Sequence, residues 1–187
     1  MVNEFLKYLK KECGITKDAN VLLTVSGGID STVMAHLFSL SSFNFGIAHS
    51  NFQLRGAEAD LDAKFVENLA SKYNTPFYIK SFDTKKYANK KGISTQMAAR
   101  DLRYQWFNEL LINHGFTHIA TAHHIDDSIE TIIFNLTKGT GIAGLRGILP
   151  LQEQIIRPML FCSSQEIVDY ALKNNLKWRE DSSNASN

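Results

Sequence analysis

The stretch "TVSGGIDSTV", residues 24 to 33, decides the reading of this 187-residue chain. The apolar run "VLLTVS" at 21 to 26 enters it, and a segment of helical period leaves it. Glycines between a strand and a helix allow backbone conformations closed to other residues and let main-chain N–H groups come close to an oxyanion. The helix that follows adds the positive end of its dipole, so phosphate is the expected guest. The common P-loop, G-x-x-x-x-G-K-[ST], is absent because no Gly-Lys pair occurs. The bland account of the same residues is a tight turn in which Asp30 caps the helix.

Outward from this loop, apolar runs alternate with helical periodicities. "FNFGIAHS" (43 to 50), "PFYIKSF" (76 to 82) and "THIATAH" (117 to 123) read as further strands, with "EQIIRPML" (153 to 160) a weaker fifth. Leu61, Phe65 and Leu69 repeat on one helical face, and so do Ile129, Ile132, Ile133 and Leu136, which are expected to be buried. The prediction is an α/β fold, doubly wound, with a mostly parallel five-stranded sheet and helices on both faces. Ligands of such sheets sit beyond the carboxyl ends of the strands. That places Ser26 to Ser31, His49 to Arg55 and His123 to Asp127 at one edge.

Composition narrows the function classes. The length suits one domain, 1–187, and 44% hydrophobic with 21% charged residues is ordinary for a globular protein. A net charge of +1 carries no global nucleic-acid signature, so RNA contact must come from a local patch. The best such patch is "KKYANKK", with Lys85, Lys86, Lys90 and Lys91, although a lysine run is usually a solvated face. Cys13 and Cys162 form no CxxC or metal cluster and fit a reducing cytoplasm. The N-terminus lacks a signal-peptide apolar core and no stretch approaches a membrane span, so no membrane is expected.

Three further segments bear on chemistry. "GTGIAG" (139 to 144) matches G-x-G-x-x-G, but follows a helical pattern instead of a strand; it is read as a helix cap at Gly139 with a flexible loop beyond. "ATAHHIDDSIET" (120 to 131) brings His123, Asp127 and Glu130 together after a strand, the two acids three apart on one helical face. This is either an N-terminal capping arrangement or an acidic cup for magnesium or a substrate ammonium group. In "TQMAARDLRYQWF" (95 to 107) a stripe of Ala98, Ala99, Leu102, Trp106 and Leu110 is expected to be buried. Arg100, Arg103 and Gln96 then face elsewhere, and Arg100 is either a phosphate partner or a surface ion-pair residue.

Together "SGGIDS", "HSNFQLRGAEAD", "AARDLRY", "AHHIDDSIETIIFNLTKGTGIAGLRGI", "RPML" and "EDSSN" span residues 26 to 184. In this order they resemble the N-terminal catalytic domain of the tRNA(Ile)-lysidine synthetases, members of the PP-loop ATP pyrophosphatases. The resemblance implies an adenine-nucleotide alpha-hydrolase-like fold, ATP and Mg2+ as cofactors, and a CAU-anticodon tRNA(Ile) and lysine as substrates. It implies that Ser26, Gly27, Gly28, Ile29, Asp30 and Ser31 bind the pyrophosphate of ATP, with Asp30 beside the metal. Arg100 would stabilise the forming adenylate; His123, Asp127 and Glu130 would position lysine. Departures stand at Phe52, where the family usually has a second histidine, at Gln96 and at Ser128. A tRNA thiolase or a non-catalytic ATP-binding module are the alternatives. Full members carry C-terminal tRNA-binding regions, so a fragment lacking that region is expected, and a homodimer is an open expectation.

Overall fold

The computed structural model describes residues 1–54, 56–140 and 145–180. β1 (Asn20–Thr24), β2 (Asn44–Asn51), β3 (Phe77–Ser81) and β4 (His118–Ala120) are four of the expected strands. The weak fifth resolves into two very short ones, β5 (Leu151–Gln152) and β6 (Ile155–Ile156). Among the described residues the sheet therefore has six strands in the order β3-β2-β1-β4-β6-β5. All pairings are parallel except β5 with β6, a hairpin whose turn places Glu153 at φ 55.

Strand alternation explains the two cores. Val21 and Leu23 of β1 face one side, where α1 (Val2–Lys11), α2 (Ile29–Ser39), α3 (Ala57–Lys72) and α7 (Ser164–Lys173) supply Phe5, Leu9, Val33, Phe38, Val66 and Ile167. Leu22 faces the other, against Trp106, Phe107, Leu110 and Leu111 of α5 (Thr95–His114). Successive side chains on a strand point to opposite faces, so a strand with apolar residues at every position needs a cover on both. The short α4 (Thr84–Lys91) starts at Asp83, whose carboxylate accepts from Lys86 N–H at 3.0 Å, and ends at Gly92 with φ 66. Its four lysines are exposed.

Two expected faces are corrected. Leu61 is exposed, whereas Leu69 is buried as expected, together with Val66 and Ala70, and Phe65 packs partly buried against the core. In α6 (Ile125–Thr137) no residue is buried: Ile129, Ile133 and Leu136 are 48%, 56% and 58% exposed. The helical period is present, yet among the described residues most of this stripe stays open; only Ile132 is partly covered, by the segment around Gly147, whose neighbour Ile148 donates its N–H to Ser128 Oγ at 3.0 Å. Past the end of α6, Gly139 takes φ 69 and Thr140 N–H donates to Asn135 O at 3.2 Å, as expected of a glycine cap. The loop predicted beyond it falls on residues 141–144, and the polar "EDSSN" lies mostly in 181–187, outside the described residues.

Candidate active site

The chain order reverses between β1 and β4, which is the switch point where open parallel sheets leave a crevice. The loop after β1 and the segment after β4 diverge there. With the end of β2 and one side of α5 they enclose a cavity of about 540 Å³.

One wall is the glycine loop. Ser31 Oγ accepts from the N–H groups of Ser26 (3.2 Å) and Gly27 (3.3 Å) and donates to Gly28 O (3.0 Å). Ser26 Oγ lies 3.1 Å from Ser31 Oγ and accepts from Gly28 N–H at 3.3 Å. These long bonds to hydroxyls are the kind an incoming oxyanion, a stronger acceptor, replaces. Gly27 has φ 103, a conformation that a side chain disfavours, so glycine is required there. Ser26, Gly28, Asp30 and Ser31 line the cavity; Gly27 is buried behind them and Ile29 packs its side chain on the core.

Asp30 is half-buried in the first turn of α2. Burial pushes its carboxyl above the ordinary range, the neighbouring His124 pulls it down and the Asp127 carboxylate pushes it up. Asp127 stands at the third position of α6, where one of its oxygens accepts from His124 N–H at 2.9 Å. The capping account is thus realised, and the residue still lines the cavity with its remaining acceptor capacity. His123 lines it too. Its Nδ1 is 2.9 Å from Thr121 Oγ1, and burial holds its pKa below 6.5, with Asp127 opposing and Arg157, Arg100 and His124 reinforcing. His123 is therefore neutral at neutral pH and able to accept a proton. Glu130 is exposed one turn further along α6 and does not line the cavity.

The opposite wall is cationic. Arg100, although exposed, lines the cavity, with its guanidinium 4.9 Å from the centre of the Tyr104 ring. Arg103, expected like Arg100 to face away from the buried stripe, lines it as well, 4.9 Å over the Phe52 ring, which stacks on Phe82 at 5.5 Å. Burial lowers the Arg103 pKa. No carboxylate lies within ion-pair distance of either guanidinium among the described residues. Two unpaired guanidinium groups facing a glycine loop suit a polyanion. Arg100 and Arg103 are three apart, a spacing that puts both on one side of α5 and is visible in the sequence once the site is located.

Buried His49 also borders the cavity. Its Nδ1 donates to Val25 O at 2.8 Å, which leaves Nε2 as an acceptor, and burial lowers its pKa. Phe52, one of the departures noted above, is held between Phe82 and Arg103 and so shapes the wall by stacking.

A glycine loop at the switch point of a parallel sheet, with two arginines and a histidine lining the same cavity, is the arrangement of an α/β nucleotide-binding domain. The chain belongs to the PP-loop domain family, whose model it matches over residues 1–187. Relatives named tRNA(Ile)-lysidine synthase include one from Bacteroides thetaiotaomicron, 41% identical over 96% of this chain and 42% of its own length. Others are from Chlorobaculum tepidum (40%; 97% and 56%) and Petrotoga mobilis (38%; 98% and 60%). The chain thus spans only part of the length of these relatives. Among solved structures, a U34-tRNA thiolase from Methanococcus maripaludis matches with a TM-score of 0.74 at 18% identity, covering 96% of this chain and 64% of that one. An NH3-dependent NAD synthetase from Campylobacter jejuni matches at 0.65 and 15%, covering 94% and 72%. At such identities these two show the fold alone, and that fold is adenine-nucleotide alpha-hydrolase-like.

Proposed function

We propose that this chain is the catalytic domain of a ligase that joins lysine to the wobble cytidine of CAU-anticodon tRNA(Ile), consuming ATP and releasing AMP and pyrophosphate. The observation that carries the reading is the convergence of the glycine loop, Arg100, His123 and Asp127 on one cavity, in a chain about 40% identical to proteins named for this activity.

The chemistry follows from the residues. The carbonyl oxygen of the cytosine ring attacks the α-phosphorus of ATP. An O–P bond forms, the bond to pyrophosphate breaks, and the departing charge is met by the N–H groups of the loop and by Ser26 and Ser31. Arg100 stabilises the charge that develops on the α-phosphate. The amine of lysine then attacks the ring carbon and AMP leaves with the oxygen. His123 is placed to take the amine's proton, while Asp127 faces its ammonium form. The carboxylate of Asp30, ionised against burial and beside Asp127, fits a divalent cation. No group of three or more His, Cys, Asp or Glu forms a metal site among the described residues, so Asp30 and the phosphate oxygens would hold Mg2+ together. When bound, the ion neutralises the pyrophosphate.

The exposed lysines of α4, beyond the end of β3, are the proposed contact for the RNA backbone. A cytoplasmic setting accords with the free, buried Cys13 and Cys162. Among the described residues no helix is long and apolar enough to cross a membrane. The resemblance also admits a homodimer, which sedimentation of the purified chain measures. Neither cysteine lines the cavity, and burial pushes each thiol up to about 12, so sulfur transfer lacks a nucleophile in this chain.

The decisive experiment incubates the protein with a CAU-anticodon tRNA transcript, ATP, Mg2+ and labelled lysine. Label must enter the tRNA; ATP turnover without label in RNA sinks the ligase reading. Within that assay Asp127→Asn is expected to raise KM for lysine about tenfold while KM for ATP changes less than about twofold, since one ammonium-facing charge is lost and the phosphate loop is untouched. Equal losses for both would make Asp127 a metal ligand or a structural cap. With 20 basic against 19 acidic residues, the chain offers few phosphate contacts. Its tRNA affinity is expected to be at least about tenfold below that of a full-length relative at one salt concentration. Equal dissociation constants would make α4 the centre of the RNA surface.

A further inference from the structure

The peptide joining Gly27 to Gly28 is held from outside the loop. Gly27 O accepts from Arg179 N–H at 2.9 Å and from Thr32 Oγ1 at 3.3 Å. Arg179 lies in the irregular segment that follows α7, far from the loop in sequence. Its Nε donates to Asp62 Oδ1 of α3 at 2.9 Å, both side chains being partly buried. Its aliphatic stem also covers the loop: a Cβ at Gly27 would stand 3.6 Å from Arg179 Cγ.

In a trans peptide the C=O and the following N–H point in opposite directions. Drawing Gly27 O back toward Arg179 and Thr32 therefore turns Gly28 N–H outward, and Gly28 is one of the loop residues lining the cavity. This orientation does not hold itself. Gly27 sits at φ 103, glycine has access to the alternatives, and Gly28 N–H makes only a 3.3 Å bond to Ser26 Oγ. A rotation of this one peptide would replace a donor by a carbonyl oxygen in front of the phosphate.

We propose that Arg179, pinned by Asp62, is a positioning residue that locks the Gly27–Gly28 peptide in its anion-binding orientation, so that the segment after α7 acts as a strap on the phosphate loop. The proposal rests on the reading of the loop as a pyrophosphate cradle. It adds that the cradle's geometry is set by a residue absent from the SGGIDS motif. The strap pre-organises ATP binding and takes no part in lysine transfer.

The test is calorimetric titration of the chain with magnesium pyrophosphate, without tRNA or lysine. Arg179→Met keeps the stem over Gly27 and removes the guanidinium; its pyrophosphate affinity is expected to fall roughly three- to tenfold, with Arg179→Lys recovering part of the loss. Arg179→Pro also deletes the main-chain donor and is expected to lose more than Arg179→Met. In turnover the same order must appear in KM for ATP, with kcat and KM for lysine nearly unchanged. Wild-type affinity in both Arg179→Met and Arg179→Pro overturns the proposal, whatever their melting temperatures. Because binding is read without the other substrates, a wild-type chain that binds pyrophosphate but forms no lysidine sinks the ligase reading alone.

Discussion

Asp30→Asn is expected to abolish most AMP and pyrophosphate formation, by about 10²- to 10³-fold, while the protein melts no lower than wild type at pH 7. The two halves of this result have one cause. Burial, the first reason the Asp30 carboxyl titrates above its ordinary 3.8, makes the ionised form unfavourable in the folded state. Folding therefore favours the protonated group. Its stabilisation is fully present below about pH 3.8, and is lost as pH rises through the raised folded value. At neutral pH the folded protein carries an ionised carboxylate at a cost, and only a cation bound with the triphosphate relieves it. Asparagine removes both the cost and the cation partner. Melting curves across pH 3 to 8 with and without magnesium and ATP check the first half; a variant with normal turnover would show that Asp30 is a helix-start residue and nothing more.

Arg100→Ala is the second large effect, a fall of about 10² in kcat/KM for ATP-dependent adenylation, or about 2.7 kcal/mol of transition-state stabilisation. Arg100 touches Tyr104 and no carboxylate among the described residues, so its charge is free to meet the phosphate. Little stability is expected to be lost, because the side chain is exposed. Arg100→Lys should recover only part of the rate, since an ammonium cannot reproduce the planar fork. Rates of pyrophosphate release measured for the three proteins at saturating tRNA decide the point. A drop confined to tRNA binding would make Arg100 a backbone contact instead.

Neighbouring Arg103 is distinguished by its environment. It lies partly buried over Phe52, which itself stacks on Phe82, so replacing it disturbs packing as well as charge.

The sheet was legible because its central strands are apolar at successive positions and each is followed by a punctuated segment of helical period. "VLLTVS" followed by "SGGIDS" identifies a strand, a cradle and a helix start from local chemistry alone. The positions of β2, β3 and β4 come from the same local signals. The hairpin of β5 and β6 escaped this reading because each strand has two residues, too few for any period to show. Burial of α6 was misread for a different reason. A helical stripe of isoleucines reports which face is apolar and says nothing about what covers it, and among the described residues most of that face stays exposed.

For the candidate site, the sequence by itself placed the loop, His123 and Asp127 at one edge of the sheet, since backbone freedom, dipole direction and the carboxyl-end rule act over a few residues. Only the tertiary structure decided that Arg103 shares the cavity with Arg100, that Glu130 stands apart from it, and that Arg179 meets Asp62, a residue of the cavity wall, across 117 positions of sequence. Such contacts depend on how α3, α5 and the segment after α7 pack around the sheet. Packing sums many weak interactions along the whole chain, so no local pattern of residues specifies which distant side chains it brings together.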